Sequence, residues 1–534
     1  MKPFQFPPIT VPDLLTAAAG EAPESPALYY QQISWTYARL AAEADAVSTG
    51  LLDMGIRKGD RVAVMLPNLP EFVASYFGIL RMGGIVVAIN PTYTVDEVLR
   101  SLNTSGAVCL IALETQRTNF QQILADSPVE QIVVLAEEGG STSAQAGVGG
   151  KDQQIHSYPA VFNADNLSQT RLPPVSPEDP AIFQFSGGTT GTPKAAVGLH
   201  KNIVANVYQF RELLKPASLE GSPILAAIPL FHVYGMVLAM SLGVLMRSAI
   251  VLIRSGGDLP ALLKGVRQHH PVFFPGVPNL YAGLLRHPLT REYTADLQTI
   301  KVCISGSTPL PAAIQNGFEK LIQGRILEGF GLSEAPTATH CNPVTGKWKV
   351  GSIGPPLPGV ECRLVDLETQ LIDVPAGMPG ELLIRGPQVM AGYHGKPEET
   401  RETLKDGWLH TGDIATVDAD GYYFIKGRKK DLIKVGGFQV WPQEIEDVLL
   451  KYPGVKEAAA AGIPHELLGE VPCAWITVEA GAVVDLSLLL EHCKQHLARY
   501  KLPEKLRIVD KMPRSTVGKV LRREIIAAEI KNLE

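Results

Sequence analysis

A chain of 534 residues exceeds what one hydrophobic core usually serves, and length alone suggests about three to four domain-sized units. The composition is that of an ordinary globular protein, 46% hydrophobic and 19% charged with a net charge of −6, and the lack of a long basic run argues against nucleic acid as the main partner. Cysteines at 109, 303, 341, 362, 473 and 493 form no CxxC pair, which disfavours a zinc site or disulfide scaffold and points to a reducing, cytoplasmic setting.

The opening MKPFQFPPITVPDLL is broken by prolines and has no apolar core of signal-peptide length, and the closing KNLE is not a peroxisomal address. WTYARLAAEADAVSTGLLDMG, residues 35–55, predicts an amphipathic helix. RVAVMLPN predicts a buried strand ending in a turn, and EFVASYFGILRMGGIVVAI a helix running through Gly83 and Gly84 into another strand. Strand, helix, strand in this order implies a parallel α/β sheet. Residues 137–151, EEGGSTSAQAGVGGK, read as an exposed loop.

AIFQF (181–185) is strand-like and runs into SGGTTGTPK, after which HKNIVANVYQFRELL is helical from His200. Between Gly221 and Met246 no residue carries a formal charge, a length that could span a bilayer, which needs about 20 apolar residues. Pro229, His232 and Tyr234 in its middle favour a buried strand, a turn and a buried helix, so no integral span is expected, although peripheral membrane contact stays open. PVFFPGVP and IKVCISGSTPL are buried strands running into loops, where open α/β sheets bind ligands.

From residue 346 short strands alternate with Gly, Pro and Asp turns, as in GVECRLVD, GELLIRGP and DGYYFIKGR, predicting a small antiparallel barrel. After GRKKD the texture returns to α+β, with EIEDVLLKY, LSLLLEHCKQHLA and REIIAAEIKN as helices. The expected fold is α/β. A large N-terminal domain (1–426) holds α/β subdomains to about residue 345 and a β-rich part (346–426). A hinge at 427–430 then leads to a small mobile α+β domain (431–534).

SGGTTGTPK is a near miss of the nucleotide loop GxxxxGK[ST]. Thr192 and Pro193 separate Gly191 from Lys194, and Ala195 takes the place of the magnesium-binding hydroxyl. The ingredients of phosphate binding remain: glycines whose N–H groups can approach an anion, hydroxyls on Ser186, Thr189, Thr190 and Thr192, and the charge of Lys194.

Together with EGFGLSE (328–334), HTGD (410–413), GRKKDLIKVGG (427–437) and RSTVGK (514–519), this loop resembles the acyl-adenylate-forming superfamily, in its acyl-CoA synthetase and 4-coumarate-CoA ligase branch. Five motifs in the family's order, spread from residue 186 to 519, are a specific signal. Gly187, Ala195, Phe330, Leu332 and Ser333 depart from the commoner family residues.

The resemblance implies a two-step reaction. A carboxylate attacks the α-phosphorus of MgATP to give an acyl-adenylate and pyrophosphate, and a thiol then attacks the acyl carbon and releases AMP. It implies that Ser186, Gly187, Gly188, Thr189, Thr190, Gly191, Thr192 and Lys194 hold the departing phosphates. Gly306, Ser307, Thr308, Glu328, Gly329, Phe330, Gly331 and Leu332 would line the adenine, Ser333 the α-phosphate, and Glu334 the Mg2+. Asp413 would accept the ribose hydroxyls with help from Arg428, and Lys430 would mark the hinge. Lys519 would bridge carboxylate and α-phosphate in the first step, Lys434 would turn in for the second, and Gly436 and Gly437 would line the pantetheine tunnel. Arg254 would meet the CoA phosphates.

His232, Val233, Tyr234, Gly235, Gly306, Gly329, Gly331 and Val350 would surround the acyl group. They are small or uncharged, and His232 offers no fixed negative charge where adenylation domains for amino acids carry Asp, so a buried ammonium would go unpaired. A medium- or long-chain fatty acid is expected, since each buried methylene is worth about 0.8 kcal/mol. An aryl acid such as a cinnamate, transfer to a carrier-protein thiol, and luciferase-like oxidation are the alternatives.

Overall fold

The computed structural model describes residues 4–137, 155–165, 170–186, 194–435, 438–465, 467–514 and 520–531. The chain divides into two compact units, one of residues 1–361 with 385–407, the other of residues 362–384 with 408–534.

The first unit holds two eight-stranded sheets. In one, Arg61–Met65 lies between Ile85–Ala88 and Cys109–Leu113, all parallel, with Gln131–Leu135 and Ile155–Ser157 beyond. Pro180–Ser186 joins Ile85–Ala88 in parallel, and Lys194–Leu199 returns antiparallel to it. These strands read as unbroken apolar runs because helices cover both faces. Helix Pro70–Arg81 buries Phe72, Tyr76 and Phe77, and helix Tyr37–Asp53 packs on it through Leu40 and Val47. The latter begins two residues later than its periodicity predicts. Trp35 and Thr36 belong to strand Ile33–Thr36, and the Thr36 hydroxyl caps the helix by accepting from the Arg39 N–H.

The other sheet runs Ala335–Cys341, Arg325–Leu332, Val302–Ser305, Phe273–Gly276, Ile224–Ala226, Ile250–Leu252, Pro26–Tyr30, Ile33–Thr36. Its six middle strands, from Arg325–Leu332 to Pro26–Tyr30, are mutually parallel, so their C-terminal ends share one edge. The uncharged segment 221–246 resolves as expected into strand Ile224–Ala226, a turn, and a buried helical run. The first part of that run, Gly235–Ser241, is a π-helix, in which the Ser241 hydroxyl donates to the Met236 carbonyl at 2.9 Å. Among the described residues no helix is long and apolar enough to cross a membrane.

In the second unit, strands Glu361–Val365, Gly380–Arg385, Trp408–Val417 and Tyr423–Arg428 lie side by side. With Leu404–Lys405 they make a five-stranded sheet in the β-rich part that the sequence predicts, Trp408–Val417 pairing with Gly380–Arg385, Leu404–Lys405 and Tyr423–Arg428. Beyond residue 430, Val455–His465 and Gly469–Val478 form a long antiparallel ribbon, joined by Lys505–Ile508 in parallel. Helices Pro442–Leu449 and Leu486–His496 pack on it through Ile445, Leu449, Leu489 and Cys493. Glu446, 5% exposed, accepts from the Ala460 N–H at 2.8 Å and pairs with Arg522 at 2.6 Å.

Candidate active site

Strand Val302–Ser305 ends opposite Glu328 of strand Arg325–Leu332, which runs on to Leu332. The chain leaves Ser305 through Gly306, and Ser307 adopts the left-handed conformation at φ 71°. Glu328 is 7% exposed, and its Oε1 accepts from the Leu310 N–H at 3.0 Å, tying strand to loop. Its buried Oε2 has no hydrogen-bond partner among the described residues. Burial pushes the Glu328 carboxyl up to about 7, against the lowering effect of the Leu310 N–H. Phe330 lies opposite His340 on the antiparallel neighbour, ring edge to ring face at 6.1 Å between centroids. A Cβ on Gly331 would stand 1.7 Å from the Thr337 carbonyl oxygen, so only glycine permits this approach. Leu332 pairs with Ala335, and Ser333 and Glu334 form the turn between them. Gly306, Ser307, Thr308 and the run Glu328–Ser333 therefore sit on one sheet edge, as expected.

The acyl-side residues meet the same edge. The Tyr234 hydroxyl lies 2.6 Å from the Ile304 carbonyl oxygen and 3.0 Å from that of Gly276, and Gly306 faces the Tyr234 ring at ordinary contact distance. His232 is half-buried, and its Nδ1 accepts from the Tyr234 N–H at 3.2 Å, which leaves the ring proton on Nε2. Burial lowers its pKa to about 4, so the imidazole is neutral near pH 7. Val233 is buried, and a Cβ on Gly235 would lie 2.3 Å from the Pro229 carbonyl, which closes the 229–235 turn tightly. Val350 is half exposed.

Glu334 Oε1 accepts from the Tyr393 hydroxyl at 2.8 Å, while Lys194 Nζ stands 5.2 Å from the centre of the same ring. Tyr393 thus links the carboxylate expected to hold metal with the lysine expected to hold phosphate. Among the described residues no cluster of three His, Cys, Asp or Glu side chains could hold a metal ion. A carboxylate oriented by a phenol suits Mg2+, which takes one or two protein carboxylates and completes its shell with substrate oxygens and water. Arg254 is committed within the protein, 2.7 Å from Glu137.

In the second unit Asp413 is 3% exposed and lies opposite Arg428 across the strand pair, with Arg428 Nε 2.9 Å from its Oδ1. The Asp413 N–H donates to the Thr411 hydroxyl at 3.0 Å. The guanidinium thus orients one oxygen of the buried carboxylate. Lys430 lies in the single helical turn Lys429–Asp431. Lys434 is exposed on strand Ile433–Val435, and its N–H donates to Glu470 at 2.8 Å. Gly187, Gly188, Thr189, Thr190, Gly191, Thr192, Gly436, Gly437 and Lys519, and the side chain of Ser186, lie outside the described residues.

Comparison with known proteins decides the family. The AMP-binding enzyme profile matches residues 15–394, and the AMP-binding enzyme C-terminal domain profile matches residues 444–519. The chain belongs to the AMP-binding enzymes. It is 35% identical to the long-chain-fatty-acid–CoA ligase of Bacillus subtilis, over 98% of this chain and 95% of that protein. It is 32% identical to 4-coumarate–CoA ligase 3 of Oryza sativa subsp. japonica, over 92% and 87%. Among solved structures, ATP-bound MatB from Rhodopseudomonas palustris superimposes with a TM-score of 0.86 at 27% identity, covering 98% of this chain and all of that one.

Two features of this AMP-binding enzyme escape motif reading. Tyr393 is one, since an aromatic in the turn AGYHG carries no periodic signal. The other is a set of buried amides on helix His200–Leu214. Asn206 accepts from the Thr337 N–H at 2.7 Å and donates to the Ala338 carbonyl at 2.8 Å. Gln209 donates to the Pro358 carbonyl, and Asn202 to that of Pro387. Of the three, Asn206 bonds strand Ala335–Cys341, next to the Thr337 carbonyl that Gly331 approaches. The available signal was Asn202, Asn206 and Gln209 at helical spacing within an otherwise apolar run.

Proposed function

We propose that this enzyme activates a long-chain fatty acid with MgATP to an acyl-adenylate and transfers the acyl group to coenzyme A, releasing pyrophosphate and AMP. The observation that carries the substrate reading is His232. This neutral ring heads a turn that enters an uncharged, fully buried helical run. A fatty acid leaves nothing ionised there once its carboxylate has reacted, whereas an amino acid would leave an ammonium without a counter-charge. The full-length relative from Bacillus subtilis bears the name of the same activity.

The fit of the other groups supports this reading. Glu328 Oε2, buried and lacking a partner, suits the amino group of an adenine lying along residues 328–331. Asp413, oriented by Arg428, suits a vicinal diol. When bound, Mg2+ neutralises phosphate charge, and Glu334, oriented by Tyr393, is the residue that would hold it. Lys194 and the loop 186–192 grip the departing pyrophosphate, and Lys519 carries fixed positive charge to the oxygens between which negative charge shifts. Rotation about 427–430 then replaces Lys519 with Lys434 and the glycines 436 and 437, opening a path for the thiol.

An aryl acid is the second reading, favoured by the rice relative and by the locked Tyr234 ring, a flat wall beside Gly306. Acceptor identity is tested by following AMP release with palmitate and ATP. Multiple turnovers are expected only with coenzyme A present. Equal turnover without it, or a requirement for a phosphopantetheinyl carrier protein, would contradict the CoA assignment.

A further inference from the structure

Asn68 follows strand Arg61–Met65 of one sheet, yet every group its side chain touches belongs to the strand ends of the other. The residue is 2% exposed. Its Nδ2 lies 2.9 Å from the Ile228 carbonyl oxygen, 3.0 Å from that of Ile253 and 3.2 Å from that of Ala226. Its Oδ1 accepts from the Leu230 N–H at 2.8 Å. A primary amide has two N–H groups and one acceptor oxygen, so both ends are fully used, with three carbonyls sharing two hydrogens.

These partners bracket the site. Ala226 and Ile228 are where strand Ile224–Ala226 leaves the sheet, and Leu230 is two residues before His232. The His232 N–H is hydrogen-bonded back to the Pro229 carbonyl, so a shift of Leu230 is passed on to the imidazole. Ile253 directly follows the neighbouring strand Ile250–Leu252 and precedes Arg254. A single buried amide therefore sets the separation of the 228–232 turn from the turn at 253–254. The amide reaches four backbone groups on two separate stretches, 226–230 and residue 253.

We infer that Asn68 is a positioning residue for the carboxylic acid substrate, fixing the His232 turn against the Ile253–Arg254 turn through its shared amide. This rests on the fatty-acid ligase reading above. Its effect should fall on the acid and leave ATP largely untouched, since the adenine-side contacts of Glu328, Phe330 and Gly331 do not pass through Asn68.

The test uses the full-length enzyme and acid-dependent ATP–pyrophosphate exchange, with palmitate and ATP varied in turn. Asn68→Asp keeps the shape but sets carboxylate oxygens against three carbonyls, and Asn68→Ser keeps one donor and one acceptor. KM for palmitate is expected to rise roughly tenfold or more in Asn68→Asp and less in Asn68→Ser, with KM for ATP within about twofold of wild type. Active-site titration by burst amplitude corrects each for unfolded protein, and Asn68→Ser supplies the comparison if Asn68→Asp does not fold. Unchanged palmitate KM with only a reduced active fraction or lower melting temperature would overturn the inference, as would equal rises in both KM values. Absence of acid-dependent exchange in the wild type would overturn the ligase reading itself, and this inference with it.

Discussion

Glu328 is the most perturbed acid of the adenine side, and its effect on stability has a definite sign. Burial raises its pKa from 4.5 to about 7 in the folded state. The folded protein therefore holds this proton more tightly than the unfolded chain. Its contribution is undiminished below about pH 4.5, declines as pH rises toward 7, and above 7 remains a constant penalty of roughly 1–3 kcal/mol. Glu328→Gln keeps an acceptor for the Leu310 N–H and removes the ionisation. The nucleotide-free variant is expected to melt higher than wild type at pH 8 and to lose the advantage at pH 5; equal melting temperatures at both pH values would contradict the assignment. Gly331 makes the opposite case, since steric room and not charge decides it. Gly331→Ala places a methyl 1.7 Å from the Thr337 oxygen, and overpacking of this kind costs about 1–3 kcal/mol. Thermal unfolding should show that loss, and a neutral result would mean the two strands can part. The identities of both residues were legible in EGFGLSE, but the orphan oxygen and the clash were not, because each depends on how the neighbouring strand or loop packs against it.

At the scale of elements, the uncharged segment 221–246 shows what periodicity can and cannot deliver. Composition alone made it a candidate membrane span, whereas Pro229 and His232 marked a turn, and strand, turn and helix follow in that order. The π-helical opening was not legible, since it arises from the tight 229–235 turn and from the Ser241 hydroxyl bonding back to Met236. Helix His200–Leu214 was read to the residue, but the sequence does not show that its Asn206 clamps strand Ala335–Cys341. Asn206→Ala would strand the buried Thr337 N–H at a cost of about 1–3 kcal/mol and leave the Ala338 carbonyl only its 3.3 Å hydrogen bond from Gln388. Chemical denaturation is expected to show a lowered midpoint, and KM for ATP should rise because the strand behind Phe330 loosens. A stable variant with unaltered ATP KM would show that the amide is dispensable.

At the scale of the molecule, two compact units and two matched family segments agree that one chain carries separate parts. SGGTTGTPK falls in the first matched segment, residues 15–394, and RSTVGK in the second, residues 444–519. Their division of labour gives an expected outcome. Lys519→Ala should lower acid-dependent pyrophosphate exchange by at least about a hundredfold, yet leave thiolysis of supplied palmitoyl-adenylate by coenzyme A near wild type. Lys434→Ala should do the reverse. Equal loss of both half-reactions in either variant would contradict the alternation of the two lysines.

The most direct test of the account is ATP–pyrophosphate exchange by the wild-type enzyme across a panel from acetate to stearate, with benzoate and 4-coumarate alongside. A fatty-acid ligase built around a neutral, apolar acyl site is expected to give kcat/KM that climbs with chain length to a maximum among long-chain acids, with the aryl acids well below. A maximum at 4-coumarate or benzoate, or exchange that needs no carboxylic acid, would contradict it.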